Sequence, residues 1–408
     1  MSIRKSYNHT FWASCIGYVV QSLVLNFVPL LFAFFNTSYG IEYSDISLLI
    51  IVMFIMQLLA DLASPVLVKL IGYRGSAVLA HVLASFGLAM LAILPGSFEN
   101  KYLGIVLPLL FTSVGGGIIE AVISPIVEAC PNANKSGHMC LLHSFFCWGH
   151  VFIVLVSVFY FGFFGIENWG WLSVAFALIP FINIFYFMLV PINSLEDEAK
   201  KISGKENLTL SKLFKNKIFW LMFLLMFCAG ASELSISQWA SALAEQGLGV
   251  SKTVGDLAGP MTFAILMGLS RVFYSLLGKK LKLPGYMLFS ALLCFGGYML
   301  VSLSPWPFLS LIGCAVCGWA VGVIWPGTYS LATERLCGGS TSMFAFLALA
   351  GDLGCTAGPT VVGFVSEKFG NDLKIGLFSA SVFSLVMIVG VLILLFYKNK
   401  PLKEKAEN

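Results

Sequence analysis

The sequence predicts an all-α integral membrane protein with twelve transmembrane helices in two six-helix halves. Hydrophobic residues make up 58% of the 408 residues and charged residues only 11%, whereas soluble domains carry about 25% charged residues. Apolar runs of about 20 residues, the length needed to cross a hydrocarbon core of about 30 Å, recur along the whole chain. One long hydrophilic segment separates these runs into two equal sets.

The predicted spans are the apolar runs bounded by Gly, Pro and charged residues. Lys252 and Asp352 make the eighth and eleventh spans the hardest to delimit. The twelve runs are 10–35, 44–70, 75–95, 102–129, 138–164, 169–191, 216–244, 252–277, 285–303, 306–333, 341–366 and 373–397.

The hydrophilic segment 193–215 follows the sixth span and is rich in charge, so we interpret it as a linker. It divides the chain into an N-terminal bundle (1–192), the linker, a C-terminal bundle (216–400) and a tail (401–408). An internal repeat supports this division, because an offset of 210 residues aligns Asp61 with Arg271, Lys69 with Lys279, and Gly75 with Gly285. Transporter halves often arise by such duplication.

The distribution of basic residues predicts the orientation, since cytoplasmic loops carry an excess of Lys and Arg. With the N-terminus inside, only Lys101, Lys252, Lys368 and Lys374 of the 24 basic residues lie outside. We therefore expect a multi-pass protein of the cell inner (cytoplasmic) membrane with both termini in the cytoplasm.

Several short motifs resemble the major facilitator superfamily, and within it the fucose permease group of sugar:proton symporters. Asp61 to Arg74, with its Gly-Tyr-Arg turn, resembles the superfamily's loop between helices two and three. The further segments similar to the fucose permease group are GGGIIEAVISP (115–125) in helix four, SGH (136–138) at the start of helix five, WPGTYSL (325–331) in helix ten and GFVS (363–366) in helix eleven.

This resemblance implies proton-coupled uptake of a small sugar by alternating access. One departure concerns the first helix, where the group carries an acidic residue and this chain reads LNFVP at 25–29. Two other transport modes stay open: proton-antiport efflux of a hydrophobic or cationic compound, and facilitated sugar uniport. A non-transporting receptor built on the same fold is a further alternative.

Three carboxylates near the centres of their spans are the candidates for proton coupling: Glu120, Glu233 and Asp352. An ionisable side chain at mid-bilayer costs at least about 2.5 kcal/mol, so it usually faces a cavity and has a function. Glu120 is the best candidate, because the sequence places no Lys or Arg at its depth. For Asp352 two roles stay open: a hydrogen bond to the substrate, or a pair with a histidine across the cavity, with His150 as the expected partner.

The candidate substrate-binding residues are uncharged hydrogen-bonding groups, histidines and aromatic residues at cavity depth. Ser232, Ser235 and Trp239 form one stripe of helix seven, and Glu233 and Ser237 form the next; we expect this polar segment to face the substrate. The predicted binding residues are Gln21, Asn26, Gln57, His143, His150, Gln238, Trp239, Trp325 and Tyr329.

A second charged set near the cytoplasmic ends is predicted to form gating ion pairs: Asp61, Arg74, Glu128, Arg271 and Glu334. Because this assignment leaves no cation in the cavity, a neutral polyol fits the sequence better than an organic anion. The chain has no GxxxxGK[ST] nucleotide loop and no grouped metal ligands. We therefore expect no enzyme activity, cofactor or metal, no nucleic-acid partner, and a monomer in the lipid bilayer whose partners are its substrate and a proton.

Overall fold

The computed structural model describes residues 3–195, 210–249, 255, 257–278, 280–336, 340–370 and 372–396. Within these residues every regular element is a helix, and eleven helices are long and apolar enough to cross a membrane. This confirms the predicted all-α membrane architecture.

The N-terminal half contains six helices. Their bounds are α1 Tyr7–Asn26, α2 Phe32–Tyr39, α3 Tyr43–Ser97, α4 Lys101–Glu128, α5 Lys135–Phe164 and α6 Trp169–Leu189. α2 is a short helix of eight residues that follows α1.

Helix α3 accounts for two of the twelve predicted spans. Its apolar part, Leu48–Ser97, has 50 residues, which at 1.5 Å per residue is about 75 Å, more than twice the hydrocarbon thickness. At Gly72 the backbone leaves the helical region, with φ 71° and ψ 171°. Because L side chains rarely adopt a positive φ, this break requires glycine. The first arm of α3 therefore ends at Ile71, and the second arm returns through the membrane.

The C-terminal half contains one short helix and the remaining spans. The bounds are α7 Leu210–Phe214, α8 Lys217–Leu248, α9 Thr262–Leu277, α10 Leu283–Leu303, α11 Pro307–Val321, α12 Ile324–Arg335, α13 Thr341–Lys368 and α14 Leu373–Phe396. A π-helical turn, Leu257–Met261, precedes α9, and α11 and α12 form one span, Pro307–Arg335.

Parts of the predicted domain division lie outside the described residues. These are residues 196–209 of the linker, and residues 397–408, which include the whole predicted tail. The described part of the linker contains α7. The linker and tail assignments stay predictions.

Polar residues begin four of the long helices where the chain enters the bundle. The side chains of Asn100, Asn134, Asn216 and Ser340 accept hydrogen bonds from backbone N–H groups of α4, α5, α8 and α13, at 2.9 to 3.2 Å. Such caps satisfy N–H groups that have no partner inside the helix. The sequence thus marks these helix starts locally, in addition to its hydropathy.

The outer surface of the bundle is apolar. Large hydrophobic side chains such as Phe163, Leu70 and Trp171 are 81%, 76% and 72% exposed. Water-soluble proteins rarely present an apolar surface of this extent, whereas lipid acyl chains solvate it. The polar side chains collect inside, between the helices.

The two halves meet through α5 against α9 and through α3 and α4 against α13. We call the end of the bundle where α1 begins the N face. There, the Tyr73 hydroxyl bonds the Thr341 hydroxyl at 2.5 Å, and Asn134 donates to the carbonyl oxygen of Ser275 at 3.3 Å. Both bonds join one half to the other, so the halves are in contact at the N face.

Glycines allow α8 and α13 to pack closely in the C-terminal half. A Cβ atom added at Gly354 would overlap the carbonyl oxygen of Phe227, and one added at Gly358 would overlap that of Ala231. Small residues at such contacts let two helix backbones approach each other. This packing positions the face of α8 that carries Glu233 beside the face of α13 that carries Asp352.

Candidate functional site

A cavity of about 520 Å³ lies between the two halves. Its size falls in the range of small-molecule sites, about 300 to 1,000 Å³. Pro29, Ile50 and Ser241 line it near the helix ends opposite the N face, and Glu120 and Asp352 line it deeper in the bundle. The cavity therefore extends from the centre of the bundle towards the end opposite the N face.

Glu120 lines the deep part of this cavity and is held by two neutral amides. The Nε2 atom of Gln21 donates to Oε2 of Glu120 at 2.7 Å, and the Nε2 atom of Gln57 donates to the same oxygen at 2.9 Å. The residue Glu120 as a whole is 9% exposed. Because Oε2 accepts two hydrogen bonds, Oε1 is the oxygen left to accept a proton.

Asp352 of α13 faces Glu120 from the other half. Its Oδ2 atom accepts a hydrogen bond from Nε2 of Gln57 at 3.3 Å. Gln57 thus bridges two carboxyl groups that belong to different halves. The predicted pairing of Asp352 with His150 is wrong; both residues line the cavity, but the bonded partner of Asp352 is Gln57.

Asp61 joins these two acids, although the sequence predicted it to form an ion pair near a cytoplasmic helix end. It is fully buried, and one carboxylate oxygen each of Asp61, Glu120 and Asp352 lies within 4.8 Å of the others. The reason is the length of the first arm of α3, which continues ten residues beyond Asp61 to Ile71, about 15 Å along the helix. Three oxygens at this spacing are also a geometry that a cation would accept.

A cation also lines the cavity, contrary to the sequence prediction that none would. Nη2 of Arg271 on α9 lies 3.7 Å from Oε2 of Glu233 on α8. Arg271 also donates to the carbonyl oxygens of Gly322 and His143 at 2.8 Å, and to Sγ of Cys147 at 3.1 Å. The guanidinium group therefore binds both halves, and its charge is balanced by Glu233.

A hydrogen-bond network ties three helices of the N-terminal half together beside the cavity. The hydroxyl of Tyr18 bonds Oγ of Ser124 at 2.7 Å and Nε2 of His143 at 3.0 Å. His143 also contacts Ser124 at 3.2 Å and is 4% exposed. We infer that His143 mainly holds α1, α4 and α5 in place. Tyr18 was not predicted, although it lies three residues before Gln21 on the same face of α1.

Seven of the nine predicted substrate-binding residues line the cavity; their role in binding stays a prediction. Asn26 also bonds its own helix at the Ser22 carbonyl oxygen, 2.8 Å away. The seven residues are Gln21, Asn26, Gln57, His143, His150, Gln238 and Trp325.

Trp239 and Tyr329 lie away from the cavity walls. The indole N–H of Trp239 donates to the carbonyl oxygen of Pro359 on α13, at 3.2 Å. Tyr329 is fully buried and stacks on Phe344, with ring centroids 4.8 Å apart. Both aromatic side chains pack helices of the C-terminal half against each other, and their predicted contact with substrate stays a prediction.

The remaining predicted gating residues occupy separate places. Arg74 donates to the carbonyl oxygen of Val190 at 2.8 Å, inside the N-terminal half. Glu128 is buried at the end of α4, where its backbone carbonyl accepts from Lys135. Glu334 is exposed near the end of α12. A gating role for these three residues stays a prediction.

The comparison with family models decides which family this architecture represents. Residues 13–337 match the model of the Major Facilitator Superfamily. The chain belongs to the Major Facilitator Superfamily. No curated protein sequence matches the chain.

Solved structures of other major facilitator proteins have the same fold. The Escherichia coli fucose:proton symporter FucP superposes with a TM-score of 0.80 at 15% identity, over 95% of this chain and 99% of that one. The proton:xylose symporter XylE gives a TM-score of 0.79 at 12% identity, over 96% and 95%. The human organic anion transporter MFSD10 gives 0.71 at 15% identity, over 95% and 100%.

A major facilitator protein moves its substrate by rocking two halves around a site at mid-membrane. In this member the cavity lies between the halves, Glu120 and Asp352 face each other across the boundary, and Gln57 is bonded to both. Gln57 therefore joins two acidic side chains that face the cavity from opposite halves.

Proposed function

We propose that this protein is a secondary active transporter that takes up a small neutral sugar together with a proton. The observation that carries the proposal is the environment of Glu120. Its carboxyl group faces a cavity of small-molecule size and is held by the amides of Gln21 and Gln57, with no ion pair to a described Lys or Arg. A membrane interior disfavours charge, so such a carboxyl group is suited to bind and release a proton.

The lining of the cavity supports a neutral, hydroxyl-rich substrate. Gln238, Ser237 and His150 supply donors and acceptors along one part of the wall, and Trp325 supplies an aromatic surface that suits the apolar face of a sugar ring. An organic anion would be expected to use a free cation, but Arg271 is paired with Glu233. FucP and XylE, which share the fold, are themselves sugar:proton symporters by name.

The direction of uptake follows from the proposed orientation. With both termini in the cytoplasm, the N face lies on the cytoplasmic side, where most basic residues are expected. The halves are bonded there by Tyr73 and Thr341, and the cavity extends the other way. The structure then represents a conformation that receives substrate from outside.

The first helix lacks the acidic residue of the fucose permease group, and its amide Gln21 stands against Glu120 instead. We propose that Asp352 supplies the second carboxyl group of the coupling site. It lies on the other half, so its distance from Glu120 would change when the halves rock. A proton shared by this region would therefore be bound differently in the two conformations, as coupling requires.

The test measures the uptake of a panel of neutral monosaccharides and polyols into proteoliposomes that contain the protein, with and without an inward proton gradient. A pH-sensitive dye inside the vesicles reports proton entry. We expect at least one sugar to accumulate only with the gradient and to carry protons with it. The Glu120→Gln variant should lose the sugar-driven proton entry, whereas Glu99→Gln, the same change at an exposed loop residue, should behave as the wild type.

Three outcomes would favour other functions. Export of a lipophilic cation in exchange for protons would indicate antiport efflux. Equilibration of a sugar without any response to the gradient would indicate facilitated uniport. Sugar binding with no flux of sugar or protons would indicate a receptor.

A further inference from the structure

Three carboxyl groups from both halves of the protein meet at the inner end of the cavity, where Glu120 and Asp352 line it. We call Asp61, Glu120 and Asp352 the acid triad; Asp61 and Glu120 belong to the N-terminal half and Asp352 to the C-terminal half. Their oxygens lie within 4.8 Å of one another. Asp61 does not line the cavity and is fully buried on the side nearer the N face.

The acid triad has no balancing cation among the described residues. The buried ion pair between Arg271 and Glu233 uses Arg271 for a different acid. Three ionised carboxylates at this spacing in a low-dielectric interior would repel one another strongly. Some of their charge must therefore be neutralised for the halves to meet as they do here.

The hydrogen bonds of the triad indicate a proton as the neutralising ligand. Both carboxyl oxygens of Asp61 are buried and lack an N–H or O–H donor. One carboxyl oxygen of Asp61 lies within 4.8 Å of one of Asp352, and at a slightly shorter separation the two acids would form a direct hydrogen bond. Two carboxyl groups form such a bond only when one of them keeps its proton. The Nε2 group of Gln57, which points at Glu120 and Asp352, offers them hydrogens and would oppose a metal ion.

We propose that Asp61 and Asp352 share one proton across the two halves and that this proton holds the N face closed. The proposal deepens the proposed function, on which it rests for the direction of proton movement. Asp61, which the sequence analysis predicted to form a gating ion pair, is a proton-binding residue in this proposal. Its partner Asp352 makes the bond an inter-half bond.

The shared proton would prevent the carrier from passing protons across the membrane when no sugar is bound. When the proton is bound, the Asp61–Asp352 bond adds to the contacts that close the N face. A proton-loaded carrier without sugar therefore keeps the N face closed. Loss of the proton leaves like charges on the two halves, and their repulsion separates the N face. Binding of substrate would then have to supply the free energy that breaks the protonated bond.

Other titratable groups face the pair from the surrounding helices, and the test must separate them from it. The tyrosines and the cysteine are ordinarily neutral below about pH 8, and Glu233 is paired with Arg271. These neighbours are Tyr18 on α1, Glu120 on α4, His143 on α5, Glu233 on α8, Arg271 on α9, Tyr329 on α12 and Cys355 on α13.

The experiment measures the distance between the halves at the N face in the absence of sugar. Spin labels are placed at Lys69→Cys and Lys280→Cys, two exposed positions near the ends of the first arm of α3 and of α9. Protein without these two cysteines, labelled in the same way, gives the background from native thiols. The full-length protein is reconstituted in nanodiscs, and pH is varied from about 5 to about 9 in sodium-free buffer.

In the wild type we expect a short distance at acid pH and a longer one that grows in population as the pH rises. Asp61→Asn and Asp352→Asn each keep a hydrogen bond between the two positions without needing a proton. In both variants the short distance should persist, with the midpoint of opening moved upwards by at least one pH unit or abolished. Asp45→Asn, the same change near the start of α3, should leave the midpoint unchanged.

Three results would overturn the proposal. One is a wild-type distance that does not respond to pH. Another is a wild-type midpoint retained in both Asn variants, which would assign the response to His143 or Glu120. The third is closure that follows sodium at constant pH, which would identify a metal cation as the ligand. Sugar-driven proton entry is measured separately. If it is present while the distance results above fail, only this proposal is wrong; if it is absent, the proposed function is wrong.

Discussion

The buried pair of Arg271 and Glu233 allows a quantitative test of the cavity's electrostatics. Replacing Arg271 by Gln leaves Glu233 as an unbalanced charge, and replacing Glu233 by Gln leaves Arg271 unbalanced. At 3.7 Å, two unit charges attract each other by about 4.5 kcal/mol for an effective dielectric constant of about 20. Removing one partner of a buried pair typically destabilises a protein by about 3 to 5 kcal/mol.

The double variant Arg271→Gln/Glu233→Gln removes both charges together. We expect it to be more stable than the sum of the two single effects predicts, by about 2 to 4 kcal/mol, because neither charge is left alone. Part of the loss from Arg271→Gln should remain, since the bonds to the carbonyl oxygens of His143 and Gly322 are also removed.

The assay is denaturant unfolding of the purified protein in a mild detergent, followed by intrinsic fluorescence. The control pair is Arg271→Gln with Glu245→Gln, because Glu245 accepts from Ser241 and lies three turns further along α8. The losses of unfolding free energy caused by these two changes should add. Additivity within about 0.5 kcal/mol for the Arg271 and Glu233 pair would refute the assigned ion pair.

Three further predictions concern packing and closure. Gly354→Ala places a Cβ against the carbonyl oxygen of Phe227 and should abolish monodisperse protein in size-exclusion chromatography, whereas Gly296→Ala, with open space around it, should not. Asn183→Leu removes hydrogen bonds to a backbone carbonyl and a buried histidine, and should lower the free energy of unfolding by about 1 to 3 kcal/mol; an unchanged value would contradict the network. Tyr73→Phe removes one inter-half bond at the N face. For a bond of about 1 kcal/mol it should raise the open population about fivefold, as measured by the spin-label distance. An unchanged population would show that this bond does not help to close the N face.

The fold could be predicted from the sequence because hydropathy is a property of each segment. Twelve apolar runs and one polar segment determine the number of spans without any tertiary information. Even the turn between the second and third spans is visible, since only glycine suits the conformation at Gly72.

The depth of charged residues could not be predicted in the same way. Asp61 resembled a loop residue by motif, yet the helix continues far enough to bring it beside Glu120 and Asp352. Arg271 is equivalent to Asp61 in the internal repeat and is also deep in the bundle, six residues before α9 ends at Leu277. A span's boundary known to a few residues leaves an error of about one helical turn, or 5.4 Å, enough to move a charge from a gate to a cavity.

The direction of each helix face depends on neighbours that the sequence does not name. Ser232, Ser235 and Trp239 form a polar stripe, but it turns towards the other helices of the C-terminal half, and the indole of Trp239 bonds the carbonyl of Pro359. The adjacent stripe with Glu233 and Ser237 faces the cavity. Helical periodicity separates the two stripes and cannot decide which of them meets the substrate.

The central claim is that Glu120 carries the coupled proton. The most direct measurement compares the wild type with Glu120→Gln in proteoliposomes, for a sugar that the wild type transports, by recording sugar counterflow and sugar-driven proton entry in the same preparation. The amide can accept a hydrogen bond but takes no proton. We predict that the variant still exchanges sugar across the membrane while net accumulation and proton entry are lost. Sugar-driven proton entry at the wild-type ratio in Glu120→Gln would contradict the account.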